Sequence, residues 1–311
     1  MPTAYFNPPE CRRHDMGAGH PECPQRLAAI DDWLLATGLA QALTHVDTHP
    51  VDLLDVERAH THGYVAEIGE LLRACADKGE RCAIDPDTSA NAHTWAAVVH
   101  GAGAAVQATD LVIDGGADNA FCAVRPPGHH ATRDQSMGFC FFNNVAIAAR
   151  HALDVRGLAR VAIVDFDVHH GNGTEDIIAG DDRVLMVSLF QHPLYPYSGA
   201  TPKGANMVNV PLPPYARGAE VREVVESMWL PALERFQPQM IFISAGFDAH
   251  RDDDLGQMGL VEADYEWLTQ QLMAVAARHA QGRIVSVLEG GYNLDALSRS
   301  VGVHLRTLAD L

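Results

Sequence analysis

The stretch Arg160–Gly173, RVAIVDFDVHHGNG, runs from a continuous apolar segment straight into two aspartates, two histidines and two glycines. A short unbroken apolar run is what a strand buried on both faces requires, because helices then cover the sheet above and below. Four further runs have the same character: NAFCAV, RVLMVSL, QMIFISAG and RIVSVLEGG. Helical periodicity fills the intervals, in CPQRLAAIDDWLLATGL, YVAEIGELLRACADKG and AAVVHGAGAAVQATDLVID, then in NNVAIAARHALDVRG, EVREVVESMWLPALERF and EADYEWLTQQLMAVAARHAQG. Buried strands alternating with helices predict a parallel α/β sheet covered on both faces, and no linker or repeat divides the chain. The expectation is one α/β domain over residues 1–311.

Three of these runs turn polar or glycine-rich at their carboxyl ends: RVAIV into DFDVHH, QMIFI into SAGFDAH, RIVSVL into EGGYNL. In open α/β sheets that edge is where ligands bind. Asp167 and His169, two apart, leave the same face of an extended chain and can reach one ion. Asp248 is the natural third ligand. Two carboxylates, one imidazole and an open position describe a catalytic transition-metal site rather than a closed structural one or an all-oxygen calcium cage. A lone D-x-H is more often a hydrogen-bonded strand end; three strand ends bearing such groups argue for a site.

A second histidine pair, His129 and His130, sits in RPPGHH, where Pro-Pro-Gly forces a turn. With a metal site nearby, the two imidazoles suit proton transfer near neutrality, and Asp165 and Asn172 are available to orient them. Tyr292 follows two glycines in LEGGYN; alone it reads as a packing residue, but at this edge its phenol suits a developing oxyanion.

The chain's 22 Lys+Arg against 40 Asp+Glu give a formal charge of −18, which argues against nucleic-acid binding through phosphates. No run of 18 uninterrupted apolar residues occurs, so no membrane span is expected, and MPTAYFNPPECRRHDMG lacks the apolar core of a secretory signal. The six cysteines include no C-x-x-C pair and read as reduced, mostly buried thiols, making the cytoplasm the expected compartment.

Together, HPECPQR, DPDT, RPPGHHA, MGFCFFNNVAIAA, VDFDVHHGNGTED, HPLYPYSG, ISAGFDAH and LEGGYN resemble the zinc-dependent histone deacetylase family. The likeness is strongest to its class II branch and to bacterial deacetylase-like amidohydrolases. The segments run in family order from residue 20 to residue 293. The resemblance implies the arginase/deacetylase fold, with a parallel sheet of about eight strands between helices. It implies zinc on Asp167, His169 and Asp248, a ligand set that iron(II) also accepts. It implies Asp165 behind His129 and Asn172 behind His130, with His130 as general base and then acid, His129 mainly electrostatic, and Tyr292 polarising an amide carbonyl. Gly138 and Phe139 would form one wall of a narrow tunnel, and Tyr195 stands where relatives usually carry a second phenylalanine. Asp87, with Asp85 as the alternative, matches the rim aspartate that holds the substrate backbone, and Arg26 would lie toward an internal acetate exit. Asp165, Asp167, His169, Ser188 and Leu189 match a structural potassium site. The implied reaction is hydrolysis of an N-acetyl-lysine-like amide.

Three rivals remain open at this level. An acetylpolyamine amidohydrolase would carry an acidic gatekeeper where Leu255 stands, with Asp252, Asp253 and Asp254 close by in what reads as a solvated loop. A dimanganese ureohydrolase of the same fold would need ligands for a second metal. A silent acyl-lysine binder would lack one of the catalytic groups, all of which are present.

Overall fold

The computed structural model describes residues 2–79 and 81–311. Its strands in chain order are β1 (Thr3–Phe6), β2 (Leu43–Val46), β3 (Cys82–Ala83), β4 (Ser89–Ala90) and β5 (Asn119–Cys122). They continue with β6 (Val161–Asp165), β7 (Val184–Gln191), β8 (Met207–Leu212), β9 (Ile241–Ala245) and β10 (Ile284–Leu288). The helices are α1 (Gln25–Ala36), α2 (Leu53–Val56), α3 (His62–Lys78), α4 (Thr94–Ile113) and α5 (Asn144–Asp154). After these come α6 (Asn172–Ile178), α7 (Gly218–Val224), α8 (Leu230–Phe236), α9 (Glu262–His279) and α10 (Leu294–Leu308).

Eight strands form one all-parallel sheet in the order β2-β1-β5-β10-β9-β6-β7-β8, matching the expected fold class. The central strands β5, β6, β9 and β10 are buried at every residue, as helices on both faces demand. Register aligns Cys122, Val287, Ser244 and Asp165 across those four neighbours, so their carboxyl ends finish on one line. The loops that follow carry RPPGHH, EGGY, GFD and DFDVHH to a common rim. β3 and β4 form a separate antiparallel pair whose connecting turn holds Asp85 and Asp87.

By length and composition alone, α4 is long and apolar enough to cross a bilayer, though no 18-residue apolar run is present. Here it is a core helix: two-thirds of that window is buried inside the protein, with most of its contacts to α5, β5 and β10. The segment EVREVVESMWLPALERF reads as one helix but contains a π-helical turn at Val225–Trp229 between α7 and α8. Pro231 lies just beyond that turn and brings no N–H to the helical ladder, and a local change of hydrogen-bond pattern accommodates it.

Candidate active site at the strand carboxyl ends

Strand β6 stops at Asp165, and Asp167 and His169 lie in the bend beyond it rather than on extended chain. Their convergence therefore comes from a turn, not from strand alternation. His169 donates its backbone N–H to Asp167 Oδ1 at 2.9 Å, and Asp167 N–H bonds Asp165 Oδ1 at 3.1 Å. The folded bend aims His169 Nδ1 at Asp167 Oδ1 (3.0 Å) and at Asp248 Oδ2 (3.1 Å), from the loop after β9. One donor atom each from Asp167, His169 and Asp248 falls within 4.8 Å of the others, among the described residues the one such cluster of metal-binding side chains.

The electrostatics of this trio call for a cation. Burial, followed by repulsion from Asp167, pushes the Asp248 carboxyl up to about 7. Burial opposes charge on His169, but hydrogen bonds to Asp167 and Asp248 outweigh it and lift the imidazole to about 10. A divalent ion supplies the positive charge these carboxylates otherwise draw from a proton, so the donor set fits a metal ion. The backbone is built to admit it. Gly290 donates to Asp167 Oδ2 at 2.8 Å, and a Cβ at Gly290 or Gly246 would collide with the triad carboxylates.

The loop after β5 brings the histidine pair alongside, their ring centroids 4.1 Å apart. His129 Nδ1 meets Asp165 Oδ2 at 3.0 Å, whereas His130 Nδ1 meets Asn172 Oδ1 at 2.7 Å. One imidazole thus faces a carboxylate and the other an amide. Burial works against the charge on His129, yet Asp167 and Asp165 overcome it and hold its pKa well above the ordinary value. His130 goes the opposite way: burial, then the positive charges of His129 and His169, hold it well below. With Asn172 Oδ1 accepting from Nδ1–H, His130 is a neutral imidazole whose Nε2 lone pair is left to the cavity. Two neighbouring groups with pKa values driven apart are suited to the separate roles of base and cation.

A cavity of about 250 Å³ opens onto these groups, lined by Asp87, His130, Gly138, Phe139, His169, Leu194, Tyr195, Tyr197, Leu255 and Tyr292. Of the two aspartates in this turn Asp87 lines the cavity, whereas Asp85 accepts backbone N–H groups from Asp87 and Thr88 and shapes the turn. Gly138 (φ 55°) and Phe139 (φ 70°) both occupy the left-handed region. A Cβ at Gly138 would lie 2.5 Å from His130 Cδ2, so glycine is required there. For Phe139 this backbone is strained by about 1–3 kcal/mol. It is held by a 3.1 Å bond from its N–H to Thr88 Oγ1 and by edge contacts of its ring with Tyr292 and His20. Tyr195 lines the cavity as well, edge-on to His130 with centroids 5.2 Å apart. Leu194 and Tyr197 also line the cavity, on a loop whose motif signalled only one wall residue.

Arg26 lies outside this cavity, fully buried beneath the Tyr292 loop. Its guanidinium bonds the carbonyls of Gly291 and Glu289 and the Glu22 carboxylate, and its Cζ stands 4.9 Å from the Tyr292 ring centroid. Of the potassium candidates, Ser188 pairs in register with Asp165, and its buried Oγ has no hydrogen-bond partner among the described residues. Leu189 is the next residue of β7, also buried.

Two residues of this site escaped sequence reasoning. Glu289 carries a fully buried carboxylate that accepts from Gly128 N–H (2.7 Å), His129 N–H (3.1 Å) and Ser244 Oγ (3.2 Å). Burial pushes it up to about 7. Its signal was a charged residue directly after a fully buried strand, inside a motif read for its glycines and tyrosine. Asp253 is the second, and it corrects the picture of a solvated acidic loop. Asp252 and Asp254 are exposed, but Asp253 is 4% exposed and turned toward Tyr292.

An open, wholly parallel α/β sheet with a buried Asp-His-Asp cluster able to hold a metal ion and a histidine pair at its carboxyl edge is a hydrolase type of site. Residues 20–308 match the histone deacetylase domain. A probable deacetylase of Archaeoglobus fulgidus is 37% identical over 92% of this chain and 80% of its own length. A histone deacetylase-like amidohydrolase of Pseudomonas aeruginosa is 39% identical over 89% of this chain and 73% of its own. The crystal structure of the HDA15 HD domain superposes with a TM-score of 0.91 at 31% identity, covering 99% of this chain and 90% of that one. The chain belongs to the histone deacetylase family.

Proposed function

We propose that this protein, as a single deacetylase domain, is a zinc-dependent enzyme that hydrolyses N-acetyl-lysine-like amides to free amine and acetate. One observation supports the reading: a single cavity of about 250 Å³ is lined together by Asp87, Phe139, Tyr195, His130, His169 and Tyr292. Asp167, His169 and Asp248 would hold the metal; zinc suits the set, and iron(II) is accepted by the same donors. When bound, the ion would polarise the amide carbonyl as a Lewis acid and lower the pKa of water from about 15.7 to about 7.

The side chains account for the rest. His130 Nε2 takes a proton from the attacking water and returns it to the leaving amine. His129, cationic against Asp165, stabilises negative charge without itself exchanging a proton. The Tyr292 phenol donates to the developing oxyanion. Gly138, Phe139 and Tyr195 enclose the acyl-lysine stem, and Asp87 accepts from the substrate backbone at the mouth. Arg26, below Tyr292, would face the departing acetate. A potassium ion would be held by Ser188 together with Asp165, Asp167, His169 and Leu189, mostly through carbonyls; the Ser188 hydroxyl, without a hydrogen-bond partner among the described residues, supports it.

The substrate class rests on the cavity mouth. Leu255 lines it, while Asp252 faces Arg251 and Arg299, and Asp253 is committed to the Tyr292 loop. No carboxylate of this run lines the cavity to recognise a second ammonium, which favours acyl-lysine over an acetylpolyamine. The absence of any disulfide among the six cysteines suits the cytoplasm.

The test is metal content paired with hydrolysis of acetyl-lysine and acetylputrescine amides. About one zinc per chain, acetyl-lysine turnover and loss of activity after chelation are expected. Activity confined to acetylputrescine overturns the substrate class, and two manganese ions overturn the chemistry. Replacing Tyr292 with phenylalanine should keep the metal and cost about 10²–10³ in kcat.

A further inference from the structure

Resting on the deacetylase reading above, we propose that Asp253 is a positioning residue: it locks the Tyr292 backbone to the loop that carries Leu255 at the cavity mouth. The stretch Gly290-Gly291-Tyr292 is intrinsically loose, since Gly291 adopts φ 121°, a conformation open to glycine. It is pinned on its metal side by Gly290 N–H on Asp167 Oδ2. On the other side one oxygen, Asp253 Oδ2, accepts both Tyr292 N–H at 2.6 Å and Asn293 N–H at 2.9 Å. The second oxygen, Oδ1, accepts Leu255 N–H at 3.0 Å. A single buried carboxylate therefore ties together the residue assigned to the oxyanion and a residue that meets the substrate at the rim.

The ordinary explanation is an anion at a helix start, because Asn293 caps α10 and negative charge there is favourable. That role needs charge near the helix end but tolerates a shift in its position. Tyr292 does not tolerate one. A phenol must meet the oxyanion at hydrogen-bond distance, so an ångström of misplacement weakens transition-state contact without changing ground-state binding. Three backbone donors occupy three of the carboxylate's roughly four acceptor sites, and Asp253 does not line the cavity that would take the substrate. It acts through Tyr292 and not on the reacting atoms.

The experiment is a four-cornered cycle in the intact chain with a fluorogenic acetyl-lysine amide: wild type, Asp253→Glu, Tyr292→Phe and the double variant. Asp253→Asn serves as a second series should the glutamate variant not accumulate. Glutamate keeps the anion but moves it by one methylene. We expect kcat to fall about 10-fold or more while KM, metal content and Tm stay near wild type. In the Tyr292→Phe background the same change should cost less than about 2-fold, because the contact it positions is already gone. A near-normal kcat for Asp253→Glu, or an equal fold-loss in both backgrounds, overturns the proposal and leaves a helix-start anion. Unchanged turnover in Tyr292→Phe alone overturns the role of Tyr292 and the proposal with it. Wild type that turns over no acyl-lysine amide marks failure of the underlying reading.

Discussion

At the residue scale, two adjacent histidines are made unequal by what stands behind each ring. Asp165 gives His129 a full negative charge; Asn172 gives His130 only an amide oxygen. His130 must be neutral to accept a proton, and its pKa is held below the ordinary value, so the base form dominates at neutral pH. As pH falls through that lowered pKa the base is lost, which predicts an acidic limb in kcat/KM lying below about 6.5. Asn172→Asp sets a carboxylate against Nδ1–H and favours the imidazolium. The limb should move to higher pH by about 1 unit or more, with little change in metal content. A pH series of kcat/KM on both proteins measures it, and an unmoved limb would mean that another group governs the profile. The stretch offered Asp165 and Asn172 as orienting groups, whereas which histidine each one stands behind was implied only by the family resemblance. Glu289 was missed, although a charged residue directly after a buried strand marked it, because two of its three partners are backbone N–H groups that the sequence does not show.

At the scale of elements, the site exists because four neighbouring strands end on one line and turn over in glycines. Gly290 is as close an approach as Gly246, and at Gly290 both Asp167 and Asp248 stand against the position a Cβ would take. Gly290→Ala must displace a carboxylate or the β10 exit. We expect at least about 10-fold weaker metal retention through dialysis with the secondary-structure spectrum preserved, since the strand before it is untouched. Full metal content in that variant would show that the rim yields without cost. The strands that bear chemistry were readable as unbroken apolar runs. β1, β2 and β8 were not singled out: β2 is largely exposed at the sheet's edge and β8 contains Pro211, while β1, as short and as buried as β5, was missed as well. Proline is tolerated in β8 because it is the other edge strand. α10 escaped for a related reason. Its serines, threonine, valines and Gly302 are modest helix formers, and packing against α1 and α9 supplies what propensity lacks.

Across the whole molecule, a formal charge of −18 coexists with histidines that the fold keeps neutral far below their usual range. His304 is the clearest. It is fully buried beside Phe121, Phe166 and Phe247, and burial pushes it down to about 3. Thr269 donates its hydroxyl to the Tyr265 carbonyl and so accepts from His304 Nδ1–H, while Ser286 donates to Nε2. Both ring nitrogens are satisfied in the neutral form. His60, lowered chiefly by burial to about 4, behaves alike. The sign follows from proton binding: between pH 6.5 and pH 3 the unfolded chain protonates His304 and the folded chain does not. Stability is therefore lost as pH falls through that window, by about 1.4 kcal/mol per pH unit for this one group. Other buried groups, Asp248 and Glu289 among them, shift in the opposite sense, so the single contribution is read as a difference. His304→Gln can still donate to Thr269 and accept from Ser286, but it does not titrate. Near neutrality the variant should be the less stable protein, having lost the aromatic contacts. Its deficit should shrink on acidification, by about 3 kcal/mol between pH 6.5 and pH 4. Urea unfolding of both proteins at half-unit pH steps provides the comparison. A deficit that stays constant with pH would mean that His304 is protonated inside the fold, with a counter-charge near it.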